Sequence, residues 1–488
     1  MTLFVCDNSG RENLRVWKRC DQRVQALLRA KITERGNRMN SSWTRRQFMR
    51  IGTGAAATGA VAKFTLLDPK PLWASPNPVA PSDTVRFASI GTGVRGCELL
   101  QASTRVPGVQ CVAVCDLYDA RHVAAQEAVK NPNVPATRNY KEILDRKDVD
   151  AVFIAVADHQ HRKVFVDACA AGKDIYCEKP MSHTVEDGFA MIEAAQKANR
   201  IVEIGSQRVS SIIYAQAKEI YDSGRLGDVW HIEAHWDRNS PSGAWVYPIP
   251  PDASEQTIDW NAFLDGAPKR AFSPERFFRW RCFTDYGEGL PGDLFVHAIS
   301  GIHFVSGTNT VAKRAQSMGG LFHFNDGRDF PDLIETFYDY PNFRMYLRCN
   351  LNNDQGDYIG FYGTKGTLTI QGSTLTYTPQ DTRPQPEGYS IYGWPAKLRN
   401  EYLAQFAAEH PLSAVNITEP PEVFTPPAGY SDLVDHQANF FSAVRSRKKV
   451  VENEEFGNNA AIGCHLANHS YFKQAPAVWD EKGKRIRG

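Results

Sequence analysis

A chain of 488 residues, 42% hydrophobic and 23% charged, is ordinary globular material with room for two or three domains, which excludes fibrous and disordered classes. Its formal net charge is +1 and its Lys and Arg residues are interspersed with acids, so there is no basic stripe for nucleic acid and a small polar ligand is the expected partner. The ten cysteines form no C-x-x-C pair and most sit in apolar runs such as "VQCVAVC", so buried free thiols are expected rather than disulfides.

Taken in chain order, residues 1–38 are of mixed charge and read as an extension ahead of a start at Met39. Residues 39–75 read as an export signal. Thr44, Arg45, Arg46, Gln47 and Phe48 satisfy the Ser/Thr-Arg-Arg-x-Phe pattern of the twin-arginine type, ahead of a Gly/Ala-rich apolar run. That run is interrupted by Lys63 and poor in Leu and Ile, which makes it a weak membrane span. The expectation is a periplasmic or otherwise exported protein whose partners include the twin-arginine machinery. The proline-rich residues 76–83 then form a linker.

The tetrapeptide Ile-Gly-Thr-Gly occurs at residues 51–54 and again at 90–93, and both copies fit a glycine fingerprint. Only the second follows a strand, "VRFASI" over Val85 to Ile90, and precedes a helical stretch. Gly91 allows the tight turn, Gly93 lets backbone approach a pyrophosphate, and Gly96 lets helix and strand pack closely; Val94 and Arg95 begin the helix between them. A second strand, "VQCVAVCD", ends in Asp116 at the distance where a carboxylate takes the ribose hydroxyls of an adenosine. A negative Asp116 favours NAD, and nearby Arg121 leaves NADP as the less favoured alternative. Alternation continues through a helix from Ala120 to Lys130, the strand "DAVFIAV", a helix over "RKVFVDACAAG", the strand "DIYCEKP", a helix from Val185 to Asn199 and the strand "IVEIG". Residues 84–208 are thus a Rossmann domain, a doubly wound parallel sheet with helices on both faces.

From residue 209 to 480 the rhythm changes. The strands "DVWHIEAHW", "DLIETFYDY", "FRMYLRC" and "GTLTI" indicate an α+β domain built on a large, mainly antiparallel open sheet. The insert from Asn239 to Arg281 is rich in Trp, Pro and Arg, including Trp245, Trp260 and Trp280. Loops are expected at "DTRPQPEG" and "TEPPEVFTPPAG".

Chemistry-bearing groups gather at strand ends. Lys179 lies between Glu178 and Pro180, and His159 and His161 follow Asp158. Asp293 and His297 are spaced i, i+4 and share a face if helical. The histidines and Asp293 also have the types of metal ligands, although no metal is expected. This ordered set resembles the Gfo/Idh/MocA oxidoreductases: the glycine loop, Asp158-x-x-His161, Glu178-Lys179-Pro180, Tyr286-Gly287-x-Gly289 leading to Asp293-x-x-x-His297, "FYGTKGTL" and "NFFSAVRSRK".

The resemblance implies that Lys179, Asp293 and His297 surround the substrate carbon, that Glu178 and His161 lie near the cofactor, and that the protein is a homo-dimer or tetramer. A neutral His297 with a pKa near the working pH would serve as general base, and Lys179 would hold the developing alkoxide. Asp293 would orient the imidazole or bind a neighbouring hydroxyl. Trp280, Arg281 and Tyr286 are candidate substrate contacts. The milder alternatives are that Lys179 only orders the cofactor and that Asp293 and His297 form a surface pair. Many members of the family carry an acid three residues after the histidine, and Ser300 stands there in this chain.

The expected activity is hydride transfer at a carbinol carbon of a sugar. Because free NAD is scarce outside the cytoplasm, the cofactor is expected to be tightly held. Two rivals remain: redox-neutral glycoside hydrolysis through oxidation, elimination, hydration and reduction, and a sugar- or NAD-binding sensor without catalysis.

Overall fold

Val85 to Ile90 is an apolar run bounded by Asp83-Thr84 on one side and Gly91 on the other, and it forms the central strand β1 (Val85–Ile90) of the first sheet. A computed structural model of the chain describes residues 80–488, apart from residue 382 and residues 412–418. The upstream extension, the signal and most of the linker expected from the sequence lie outside the described residues.

Around β1 stand β2 (Val109–Cys115), β3 (Ala136–Thr137), β4 (Ala151–Ile154), β5 (Asp174–Cys177) and β6 (Val202–Ile204), in the order β3-β2-β1-β4-β5-β6. Every pairing is parallel, and β1, β4, β5 and β6, covered on both faces, are nearly continuous runs of buried residues. Reversal of strand order at β1 and β4 opens a crevice at their carboxyl ends, where a doubly wound sheet binds its ligand. The two-residue β3 and the short helix Tyr140–Asp145 were not legible in the hydrophobic pattern, because neither is long enough to show a period.

The helix Asp432–Ser446 comes from far along the chain to cover one face of this sheet. Its Phe440 and Phe441 pack on Phe153, and Phe441 also meets Phe87, with ring centroids 5.4–6.1 Å apart. Burial of two phenylalanines is worth roughly 1.5–3 kcal/mol each, so the nucleotide sheet depends on the far end of the sequence.

The second sheet has ten strands: β7 (Val229–Asp237), β8 (Arg314–Gly320), β9 (Leu333–Asp339), β10 (Arg344–Asn350), β11 (Gly356–Gly363), β12 (Gly366–Gln371), β13 (Thr374–Pro379), β14 (Glu422–Phe424), β15 (Ala477–Asp480) and β16 (Arg485–Arg487). The order is β14-β13-β12-β11-β7-β10-β9-β8-β15-β16, antiparallel except where β7 meets β10. Alternation places Met345, Leu347 and Cys349 of β10 in the core and Arg344, Tyr346 and Arg348 on the outer face. The helices Ile212–Asp222, Val296–Ser306 and Glu454–Lys473 contribute to the core beneath the inner face. All eight described cysteines are free thiols, six of them buried. No helix among the described residues is long and apolar enough to cross a membrane.

Candidate active site

The carboxyl ends of β1, β4 and β5 open into one cavity of about 490 Å3, a size usual for small-molecule sites. Its phosphate end is set by sterics. Gly91 has φ +89°, and a Cβ there would lie 2.4 Å from the carbonyl oxygen of Ala155. A Cβ on Gly96 would lie 2.2 Å from the carbonyl oxygen of Gly91, which locks helix to loop. At Gly93 the nearest atom to a Cβ is Arg121 Cζ at 3.4 Å, so this backbone remains approachable. The helix Val94–Ser103 starts from Gly93 without a side-chain cap, which leaves its first-turn amides for an anion.

Asp116, just past β2, is buried in the wall of the cavity. Its carboxylate accepts the Thr92 amide at 2.8 Å and the Tyr118 amide at 3.0 Å, and Arg121 Nη1 lies 3.4 Å away. Uncapped amides, an approachable Gly93 and a carboxylate at the second strand end fit a dinucleotide. Gly91→Ala is expected to cost about 1–3 kcal/mol of strain and to abolish dinucleotide binding. Titration of NAD into the native protein and the variant by calorimetry measures this, and an unchanged affinity would contradict it.

At the opposite end the elements converge on one carboxylate. Lys179, following β5, donates from Nζ to the Asp293 backbone carbonyl at 2.6 Å and to Oδ1 at 3.1 Å. Asp293 sits in a wide π-helical turn, Pro291–Phe295, which leads into the helix Val296–Ser306 carrying His297. The expected i, i+4 pair therefore lines the cavity across a widened turn rather than within a regular α-helix. Arg281 Nε donates to Asp293 Oδ1 at 3.1 Å, Trp245 Nε1 donates to Oδ2 at 3.1 Å, and Arg238 Nη2 stands 3.5 Å from Oδ2. Burial alone would raise the Asp293 pKa, but Lys179, Arg281 and Arg238 outweigh it and hold the carboxyl far below the usual range. Trp245 makes its bond from a left-handed backbone, φ +60°, an uncommon conformation for a bulky side chain at about 1–3 kcal/mol.

His297 lines the same cavity, and its ring lies 5.4 Å from that of Trp236. Its Nδ1 is buried without a partner. Burial, followed by the charge of Lys179, pushes its pKa well below the ordinary histidine value. This corrects the expectation of a pKa near the working pH: the imidazole is neutral as expected, but it is a weaker base.

Two other expectations are corrected by position. His161 does not reach the cavity. Its Nδ1 donates to the carbonyl of Pro180 at 2.9 Å, its Nε2 is buried and unpartnered, and it supports the Glu178-Lys179-Pro180 turn from behind. Tyr286 is fully buried and packs against His159 and Phe263, so it is core rather than a substrate contact. Trp280 and Arg281 do line the cavity, with the guanidinium carbon 4.2 Å from the indole centroid. Glu178 also lines it and accepts Arg95 Nε at 2.7 Å.

Ser300 has a neighbour that the sequence did not reveal. Its Oγ lies 3.0 Å from Ser206 Oγ and 3.3 Å from Glu452 Oε1, so a carboxyl reaches this point from elsewhere in the chain. Arg238 and Trp245 are likewise additions to the site. The only sequence signal for them was the Trp- and Arg-rich composition of the insert and its border. Among the described residues no group of three or more His, Cys, Asp or Glu side chains could hold a metal ion.

Residues 85–206 match the model of the Gfo/Idh/MocA oxidoreductase family, NAD-binding Rossmann fold, and residues 214–369 match the Gfo/Idh/MocA C-terminal domain. Together these segments make up more than half of the chain. The chain belongs to the Gfo/Idh/MocA oxidoreductase family. Among curated members, a glycosyl hydrolase family 109 protein 1 from Bacteroides fragilis is 28% identical over 212 residues, covering 39% of this chain and 45% of that protein. An inositol 2-dehydrogenase from Salmonella typhimurium is 36% identical over 148 residues, covering 30% and 43%. The matched region thus spans less than half the length of either relative. In fold, the chain is similar to levoglucosan dehydrogenase solved with NADH and levoglucosan, with a TM-score of 0.58 at 16% identity over 81% of this chain and 99% of that one. It is also similar to an aldose-aldose oxidoreductase from Caulobacter crescentus complexed with glycerol, with a TM-score of 0.59 at 15% identity over 81% and 100%.

Proposed function

We propose that this Gfo/Idh/MocA member is an NAD-dependent oxidoreductase that transfers hydride at a carbinol carbon of a sugar. The observation that carries the reading is the convergence of Lys179, Asp293 and His297 on the cavity that the glycine loop opens. When bound, the dinucleotide supplies the hydride acceptor. His297, neutral across physiological pH, takes the hydroxyl proton as hydride leaves, and Lys179 stabilises the alkoxide that develops. Asp293 holds Lys179 in place through both its backbone carbonyl and its carboxylate. Asp116 supports a preference for NAD over NADP, since a 2′-phosphate would meet a buried carboxylate, although Arg121 beside it moderates the penalty.

The reading also includes export by the twin-arginine route, with the cofactor loaded before translocation and then retained, which the Thr44-Arg45-Arg46-Gln47-Phe48 pattern supports. The reading includes a homo-oligomer, and the exposure of Met318 and Phe337, 72% and 61%, on the outer face of the ten-stranded sheet supports a contact there. The similarity to a glycosyl hydrolase family 109 protein favours a second reading, redox-neutral cleavage of a glycoside. A ketone at C3 would acidify C2 and allow the aglycone to leave.

The test is to denature the purified protein, identify the released nucleotide, and incubate intact protein with free sugars and aryl glycosides without added coenzyme. Bound NAD that becomes reduced by free sugars supports oxidoreduction. Release of aglycone supports the hydrolytic reading instead. Retained NAD with neither reaction would leave a binding protein and overturn both.

A further inference from the structure

We propose that the carbohydrate taken by this cavity carries an oxyanion, a carboxylate or a sulfate or phosphate ester, close to its reacting carbinol; the placement rests on the oxidoreductase reading above. The inner end of the cavity is built with an excess of positive charge. Lys179, Arg238 and Arg281 stand 3.1, 3.5 and 3.1 Å from the single carboxylate of Asp293.

The other cations that line the cavity are each paired: Arg95 with Glu178 and Glu98, Arg121 with Asp116, Arg138 with Asp119 and Lys163 with Asp265, while Arg208 behind the wall pairs with Asp432. Glu288 lies 2.9 Å from His465, and Asp259 caps its own helix by accepting the Ala262 amide at 3.0 Å. Asp158 is the remaining acid of the inner wall. Its Oδ2 accepts the Glu288 amide at 3.1 Å and it forms no ion pair with Lys179 or Arg281, while burial, against the pull of Arg281, pushes its pKa up.

Asp293 cannot balance three cations. Its Oδ1 is shared by Lys179 and Arg281, and its Oδ2 is taken by Trp245. Arg238 stays outside hydrogen-bond geometry, and its Nε and Nη2 are buried without partners. The side chains of Arg238 and Arg281 nevertheless remain 29% and 26% exposed, and both line the cavity. Arg281 Cζ stands 4.2 Å from the Trp280 ring centroid, a cation–π contact that helps to hold its guanidinium before any ligand arrives. Uncompensated positive charge in the buried wall of a cavity acts more strongly than it would in water, and a ligand oxyanion is the complementary partner. A neutral hexose would leave the imbalance in place.

The test offers uronates, sugar phosphates and sugar sulfates, each beside its neutral parent, to the full-length cofactor-loaded protein. Equilibrium binding is read by calorimetry, and bound-nicotinamide absorbance is followed in parallel. An anionic sugar should bind at least about tenfold more tightly than its neutral parent, and the advantage should shrink as salt screens the charges. The class of anion that binds best identifies the source of the oxyanion. Arg238→Gln should reduce the advantage and Arg238→Lys should retain part of it; if Arg238→Gln does not fold, the salt titration of the native protein decides. Equal or tighter binding of neutral parents, or an advantage insensitive to salt, would overturn the proposal. An anionic sugar that binds with the expected advantage while no sugar reduces the cofactor would uphold the charge preference and remove the oxidoreductase reading.

Discussion

Replacement of His297 by alanine is expected to lower turnover by about 10^2- to 10^4-fold while leaving the dinucleotide bound. The imidazole lines the cavity within the influence of the Lys179 charge, so its loss removes a proton acceptor while the glycine loop and Asp116 stay in place. It also removes a buried, unpartnered Nδ1, so little stability should be lost. The same residue sets a pH signature. Burial and Lys179 push its pKa down, so the neutral, active form persists as pH falls through the usual histidine range. Activity is lost only when pH drops through the lowered value. The acid limb of kcat/KM in the native enzyme should therefore lie below pH ~6.5 and disappear in His297→Ala. Unchanged turnover, or a native acid limb at or above that pH, would contradict the assignment.

Asp293→Asn should damage stability and activity together. The substitution keeps the shape but removes the one ionised carboxylate among Lys179, Arg238 and Arg281. Breaking a buried ionic group from one side costs about 3–5 kcal/mol, because the remaining charges lose their partner. A denaturant titration should show a lowered midpoint. Turnover should fall by about 10^2- to 10^3-fold, but not to zero, because Lys179 keeps its bond to the Asp293 backbone carbonyl. A midpoint and a turnover both close to those of the native protein would mean that the carboxylate is incidental to the site.

The two predictions also show where the sequence was informative. Gly91, Asp116, Lys179 and His297 sit at strand ends or just beyond short motifs, so local pattern and spacing located them. Asp293 was found by its distance from His297, although the widened turn that presents it carries no periodic signal. Arg238, Trp245 and Glu452 were missed because their roles arise only from tertiary contact. Trp245 meets a carboxylate 48 residues away, and Glu452 meets a hydroxyl 152 residues away. The same limit explains the two corrected residues. His161 and Tyr286 lie in the right motifs, but a motif cannot reveal which way its side chains pack, and both turn into the protein. Only the family resemblance of "NFFSAVRSRK" singles out the helix Asp432–Ser446, since nothing in its own apolar stripe says which sheet it will cover.

In the proposed reaction Lys179, Asp293 and His297 carry out hydride transfer to a dinucleotide held in the same cavity. The most direct measurement mixes the protein as purified, without added coenzyme, with a sugar deuterated at its carbinol carbons, and then weighs the released nicotinamide nucleotide by mass spectrometry. The native protein should yield reduced nucleotide carrying one deuterium, and His297→Ala should yield it at least about 10^2-fold more slowly. Nucleotide that stays oxidised in the native protein, or reduced nucleotide without deuterium, would contradict the proposed reaction.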